Sequence, residues 1–256
     1  MVVAVLAAYG VTASSTFAFR KLVIDDAAVH RVVTDELIGA QLGLAEGGSN
    51  LFLLASDRLQ AAVEQLPGVL SADVAVDLPD TVRVRVVERD PILVWTVGDH
   101  RFLVDRDGGL FADVQPGPGS PVNGLPSVVD NRASAATLAV GGHLDAVDLD
   151  AATRLGALRP DQVGSAAAGL RLTIDDEDGF TMRPSSGPWA AVFGFYTPTL
   201  RPPDMIPGQV QALRSLLLAQ GEAAVRHVTL ASAQGGTYLP RATPTPSTSG
   251  GPSAVP

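Results

Sequence analysis

The chain of 256 residues has no cysteine, one lysine (Lys21), three tyrosines and two tryptophans. Without cysteine there is no disulfide framework, thiolate nucleophile or Cys-ligated metal, and either side of a bacterial membrane remains open as a compartment. Positive charge is also scarce: the formal net charge is −9 and the pI near 4.8, which argues against nucleic acid as a partner, since phosphate contacts need a basic surface. Metal and nucleotide motifs are missing too. Lys21 follows Arg20 rather than glycine, which excludes a P-loop, and no GxGxxG, GxSxG or HExxH occurs. The four histidines, His30, His100, His143 and His227, lie far apart and read as surface or strand residues rather than ligands.

Two acidic clusters invite a calcium reading, "DRDGG" from Asp105 and "DDEDG" from Asp175. A calcium loop needs glycine at its sixth position and an acid at its twelfth. Counted from Asp105 these positions are Leu110 and Pro116, and from Asp175 they are Phe180 and Ser186. Both clusters fall between strand signals and are expected to be hairpin turns. An extracytoplasmic enzyme using Asp105 or Asp175 is a third reading of the chain, with no motif behind it. The expectation is a protein that is not an enzyme and uses no cofactor.

What is present is apolar and periodic: 46% of residues are hydrophobic and mean hydropathy is +0.23. The opening run "MVVAVLAAYGVTASSTFAF" carries no charge before Arg20. It is read as a partial transmembrane anchor over residues 1–16, because a span needs about 20 mainly apolar residues. At the other end, "RATPTPSTSGGPSAVP" is Pro/Ser/Thr-rich without apolar periodicity, so residues 242–256 are expected to be a disordered tail.

Strict alternation occurs in "LSADVAVDLPDTVRVRVVERDP", Leu70 to Pro91. Leu70, Ala72, Val74, Val76 and Leu78, then Val82, Val84 and Val86, form one apolar face, while Arg83 and Arg85 point to the other. This is a hairpin turned by Pro79 and Asp80. Before it, "FAFRKLVID" reads as a strand. A first helix starts at Thr34 with Leu37, Ile38 and Leu42 at helical spacing and closes at "LAEGGSN"; a second runs from Ser56 to "LPG" with Leu59, Val63 and Leu66 on one stripe. Two short helices covering one face of a three-stranded sheet leave Arg83 and Arg85 on a solvated face. From Ile92 onward, strands are read at "ILVWT", "RFLVD", "LFADV", "LPSVV", "GLRLTID", "GFTMRP", "PWAAVFGF", "VRHVTLAS" and "TYLPR". Helices fall over Asp145–Leu158 and Pro207–Gln220. The fold class is α+β: an anchor, a small β-α-α-β-β domain over 17–91, and a larger β-rich domain with two helices packed on it over 92–241.

The stretches "NLFLL" (Asn50 to Leu54), "LPGVLSADVAVDLPDTVRVRVVERDP" (Leu66 to Pro91) and "FLVDRDGGLF" (Phe102 to Phe111) resemble the bacterial cell-division family FtsQ, called DivIB in Gram-positive bacteria. The family's Leu-Pro-Asp turn is matched by Leu78, Pro79 and Asp80, and its Glu-Arg-x-Pro ending by Glu88, Arg89 and Pro91. The chain departs from the pattern at Asp25 and Asp26, where a glycine is usual, and at Thr229, Leu230 and Ala231, where the family has Asp-Leu-Arg. The resemblance implies a POTRA domain after a single membrane span, with the main domains extracytoplasmic and the protein held in the inner or plasma membrane. It implies a non-enzymatic divisome scaffold acting in septum formation, with FtsB-like and FtsL-like partners and the septal wall synthase complex. Its carboxy-terminal strands would bind a partner by β-augmentation, here through Val228, Leu230, Tyr238, Leu239 and Arg241, with Tyr238 as the aromatic anchor. A POTRA-containing secretion or envelope-assembly factor is the other reading of the same hairpin.

Overall fold

The computed structural model describes residues 15–25, 32–232 and 235–241. The expected anchor lies almost wholly outside these residues, as does the expected tail. No helix among the described residues is long and apolar enough to cross a membrane. The chain divides into two compact units, with the division in sequence between Leu149 and Asp150.

The first unit opens with β1 (Lys21–Ile24), α1 (Asp35–Leu42), α2 (Ser56–Glu64), β2 (Val69–Asp77) and β3 (Thr81–Glu88). The strands form a three-stranded sheet in the order β1-β3-β2. β1 runs parallel to β3 and β2 antiparallel to it. Val82, Val84 and Val86 are no more than 1% exposed and pack with Ile38, Leu42, Leu59 and Val63 in one core. Each such side chain stabilises by about 1.5–3 kcal/mol when removed from water, which the short helices need, since neither would persist alone. Thr34 caps α1 by accepting a hydrogen bond from the Leu37 amide, and Gly43, in the left-handed region at φ 60°, ends it. Arg83 and Arg85 lie on the open face, paired with Asp77 at 3.0 Å and Asp25 at 2.8 Å.

Several expected core positions are not in the core. Leu70 is exposed because a bulge between Val69 and Ser71 shifts the alternation, so that Val69 turns inward instead. Leu78 is exposed because it belongs to the turn. Leu37 is exposed because it neighbours the buried Ile38 on a helix and only one of the two can face the sheet. Helix α1 ends at Gly43, ahead of the glycines of "LAEGGSN". The first expected strand is shorter: residues Ser15–Phe17 form a 3₁₀ turn, and Ala18 makes a single bridge to Asn50.

The same unit continues with β4 (Leu93–Val97), β5 (His100–Val104), β6 (Leu110–Asp113) and β7 (Ser127–Asp130). β4 pairs antiparallel with β5 and parallel with β7, and β5 pairs antiparallel with β6. The "DRDGG" cluster forms the β5–β6 turn, as read from the sequence. Asp105, 5% exposed, accepts from the Asp107 and Gly109 amides and from Arg89 Nη1 at 2.7 Å. Its carboxylate is occupied by structural donors. Helix α3 (Ala146–Gly156) crosses the break in sequence and buries Ala151, Ala152 and Leu155.

The second unit holds β8 (Leu170–Asp175), β9 (Gly179–Pro184), β10 (Ala190–Gly194), α4 (Ile206–Gln220), β11 (Val225–Thr229) and β12 (Thr237–Pro240). Strand order runs β8-β9-β10-β11-β12. The β10–β11 pair is parallel, with α4 as its crossover, and the others are antiparallel. Trp189, Phe180, Phe193, Ile174 and Leu213 fill its core. The "DDEDG" cluster is the β8–β9 turn, where Asp175 accepts from the amides of Glu177 and Asp178.

Candidate partner-binding edge

Strand β11 is held at both ends by side chains that arrive from far along the chain. At its start, Glu222 accepts hydrogen bonds from Ser165 Oγ at 2.5 Å, Trp189 Nε1 at 2.7 Å and the Ala166 amide at 3.1 Å. Partial burial pushes the Glu222 carboxyl up, but these three donors outweigh it and hold the group below its ordinary value. Past its end, the Leu230 carbonyl accepts from Gln209 Nε2 at 2.7 Å and Arg201 Nη2 at 2.7 Å. Both donors also reach the Phe193 carbonyl at the end of β10. Gln209 is fully buried and its Oε1 accepts from Tyr196 Oη at 2.7 Å. Burial drives the Tyr196 phenol well above its usual range, with Arg201 opposing only in part. The carbonyls at the ends of two parallel strands therefore have fixed partners, as buried backbone groups require.

Against this fixed strand lies β12. Its register sets Thr237 opposite Thr229, Tyr238 opposite Val228, Leu239 opposite His227 and Pro240 opposite Val225. The Arg241 amide adds one more bond to the Ala224 carbonyl at 2.8 Å. Among the described residues β12 is the last strand of its sheet, and all four of its residues are exposed. Tyr238 is 39% and Leu239 62% exposed. Directly opposite residues in an antiparallel pair share a face, so Tyr238 lies on the face of Val228 and Leu239 on the face of His227.

Beside Val228 is a groove of about 570 Å³ between α4 and the strands. Gln211, Ala212, Ser215 and Leu216 form its helical wall, and Val228, Leu230 and Gly236 line its strand side. The residues read from the sequence as partner-binding thus divide into two sets. Tyr238, Leu239 and Arg241 are on the surface of the edge, whereas Val228 and Leu230 are 1% exposed and serve as groove floor and core. Glu222, Arg201 and Gln209, which position the edge, were not read from the sequence. Only Gln209 left a local signal, a polar residue on the buried stripe Ile206, Gln209, Leu213, Leu217. No cluster of metal-ligating side chains occurs among the described residues.

Comparison with known proteins agrees with this architecture. Residues 20–89 match the POTRA domain, FtsQ-type, family, which covers β1 through β3, so the chain carries a POTRA domain. The chain is also similar to curated proteins named Cell division protein FtsQ. The relative from Mycobacteroides abscessus is 35% identical over 147 residues, 57% of this chain and 44% of the relative. That from Chloroflexus aurantiacus is 29% identical over 142 residues, 52% of this chain and 50% of the relative. That from Rickettsia typhi is 31% identical over 83 residues, 32% and 31% of the two chains. The chain thus carries an FtsQ-type POTRA domain and is similar to FtsQ proteins, and these matches span half or less of each relative's length.

Proposed function

We propose that this protein is a non-enzymatic scaffold of the cell-division machinery, anchored in the plasma membrane by residues 1–16 and working outside it. On this reading residues 17–91 form the POTRA module, 92–241 the β module and 242–256 a tail without fixed structure. The observation that carries the partner-binding part is β12, an outermost strand with exposed Tyr238 and Leu239, set on a strand whose two ends are fixed. An incoming strand from an FtsB-like or FtsL-like partner pairs with its outer side through main-chain bonds, and Tyr238 supplies the side-chain anchor. Pro240 cannot donate a backbone hydrogen bond, which confines pairing to the strand before it.

Tyr238→Asp tests the site. It is expected to weaken binding of an FtsB-like segment roughly 30-fold or more, the scale of a central aromatic anchor, with no change in the far-ultraviolet spectrum. Unchanged affinity in a titration would remove Tyr238 from the interface. Depletion in the native organism tests the role: long cells with replicated nucleoids and few septa are expected. Normal division with a secretion or envelope-assembly defect would transfer the POTRA domain to the other class.

A further inference from the structure

The chain enters the first unit through an apolar lip that the core does not use. Phe17 meets Phe52 edge-on, with ring centroids 4.6 Å apart and planes at 78°. Phe52 is 47% and Leu53 70% exposed, and both sit on one 3₁₀ turn, Leu51–Leu53. That turn is rooted firmly. Leu51 is 2% exposed within the POTRA core, and the Asn50 side chain accepts from the Phe52 amide at 2.9 Å. Around it, the Phe19 amide donates to the Ser49 carbonyl at 2.7 Å and the Gly47 amide to the Phe19 carbonyl at 2.8 Å. Of the triplet Leu-Phe-Leu, one residue is root and two are held outward.

We propose that Phe17, Phe52 and Leu53 dip into the interfacial layer of a lipid bilayer and fix the POTRA module against the membrane surface. This rests on the anchor reading of residues 1–16 given above. Reach supports it. If the anchor ends at Thr16, Phe17 is the next residue, its Cα about 3.8 Å away, and the Phe52 ring is one ring contact beyond it. That total is comparable with the polar layer on each side of the hydrocarbon, roughly 5–8 Å thick, and with the depth of interfacial apolar side chains, about 5–10 Å. Arg20 and Lys21, both exposed, follow within four residues and suit anionic headgroups; Glu46 is the acid of the adjoining loop. A pinned turn loses little conformational freedom on insertion, so its apolar area is available at low entropic cost.

The absence of cysteine makes the test direct. Full-length Leu53→Cys, labelled with an environment-sensitive fluorophore, is reconstituted into vesicles of phosphatidylethanolamine and phosphatidylglycerol carrying a nitroxide high on the acyl chain. Val87→Cys is the control. Val87 is exposed on β3, whose Thr81 end pairs with Lys21; six residues along a strand place it about 20 Å away. The expected result is flotation with the vesicles, with position 53 blue-shifted and quenched several-fold more strongly than position 87, and the quenching lost when Phe17 and Phe52 are both changed to serine. Flotation with equal, weak quenching at both positions would overturn the lip while leaving the anchor standing. Failure to float would overturn the anchor and the lip with it. A blue shift that tracks protein density and ignores the nitroxide would assign the lip to a second copy of the chain, against the proposal.

Discussion

At Glu222 three donors converge on one carboxylate, and the sign of its shift sets a pH dependence. Its value in the folded chain lies below the ordinary 4.5, so the unfolded chain binds the proton more readily than the folded one. The stabilisation is therefore fully present above the ordinary value and is lost as pH falls through it toward the depressed value. Urea unfolding followed by the fluorescence of Trp189 in a Trp95→Phe background, from pH 7 down to pH 3, is expected to show a falling midpoint across that window. In Glu222→Gln, which still accepts from Ser165 and Trp189 but carries no charge, the midpoint should start lower at pH 7 and fall less steeply. Equal slopes for the two proteins would show that Glu222 titrates in the folded state as it does in the unfolded chain.

The edge element depends on a glycine. A Cβ at Gly236 would overlap the Thr229 carbonyl oxygen and approach Leu230 Cα at 3.2 Å, and both are backbone that cannot rotate away. Gly236→Ala should push Thr237 off Thr229 at a cost of about 1–3 kcal/mol. The expected outcome is faster amide exchange in β12 and weaker partner binding, with β8 to β10 protected as before; unchanged exchange in β12 would show that the turn can relax. How much of the edge could be read in advance follows from how each residue is held. Val82, Val84 and Val86 were legible because a half-covered sheet imposes a period of two, and Thr34 because a capping residue marks a helix start; the second helix begins at Ser56 without a side-chain cap. Tyr238 and Leu239 were legible as residues of a last strand. Leu70 was misplaced because a bulge resets the period without any sequence mark. Arg201, Gln209 and Glu222 escaped notice because their partners are backbone carbonyls and side chains up to 57 residues away, and no local pattern announces such a bond.

Across the first unit, one arginine ties the POTRA sheet to the strands that follow it. Only residues 89–92 separate β3 from β4. Arg89 donates from Nε to the Pro67 carbonyl at 3.0 Å and from Nη1 to Asp105 at 2.7 Å. Its backbone amide bonds the Gly68 carbonyl at 2.9 Å, so the start of the hairpin, its end and the β5–β6 turn are gathered at one side chain. Asp105 has a side chain 7% exposed and Arg89 one 30% exposed, so the ion pair is partly shielded from solvent and removal of one partner should cost more than removal of both charges. Arg89→Ala leaves a buried carboxylate facing only two turn amides, and a loss of roughly 1–3 kcal/mol is expected after allowing for the water that reaches the arginine. Asp105→Asn keeps an acceptor for those amides and should cost less. In the double variant the asparagine no longer strands a charge, so its loss should fall short of the sum of the two single losses, a coupling readable by urea denaturation. Hydrogen exchange should localise the effect of Arg89→Ala to 89–92 and the β5–β6 turn, with the valine core of β3 unaffected. Strict additivity would mean that Arg89 acts through Pro67 and Gly68 alone, and that the POTRA sheet is held to β4 by its short connector rather than by the ion pair.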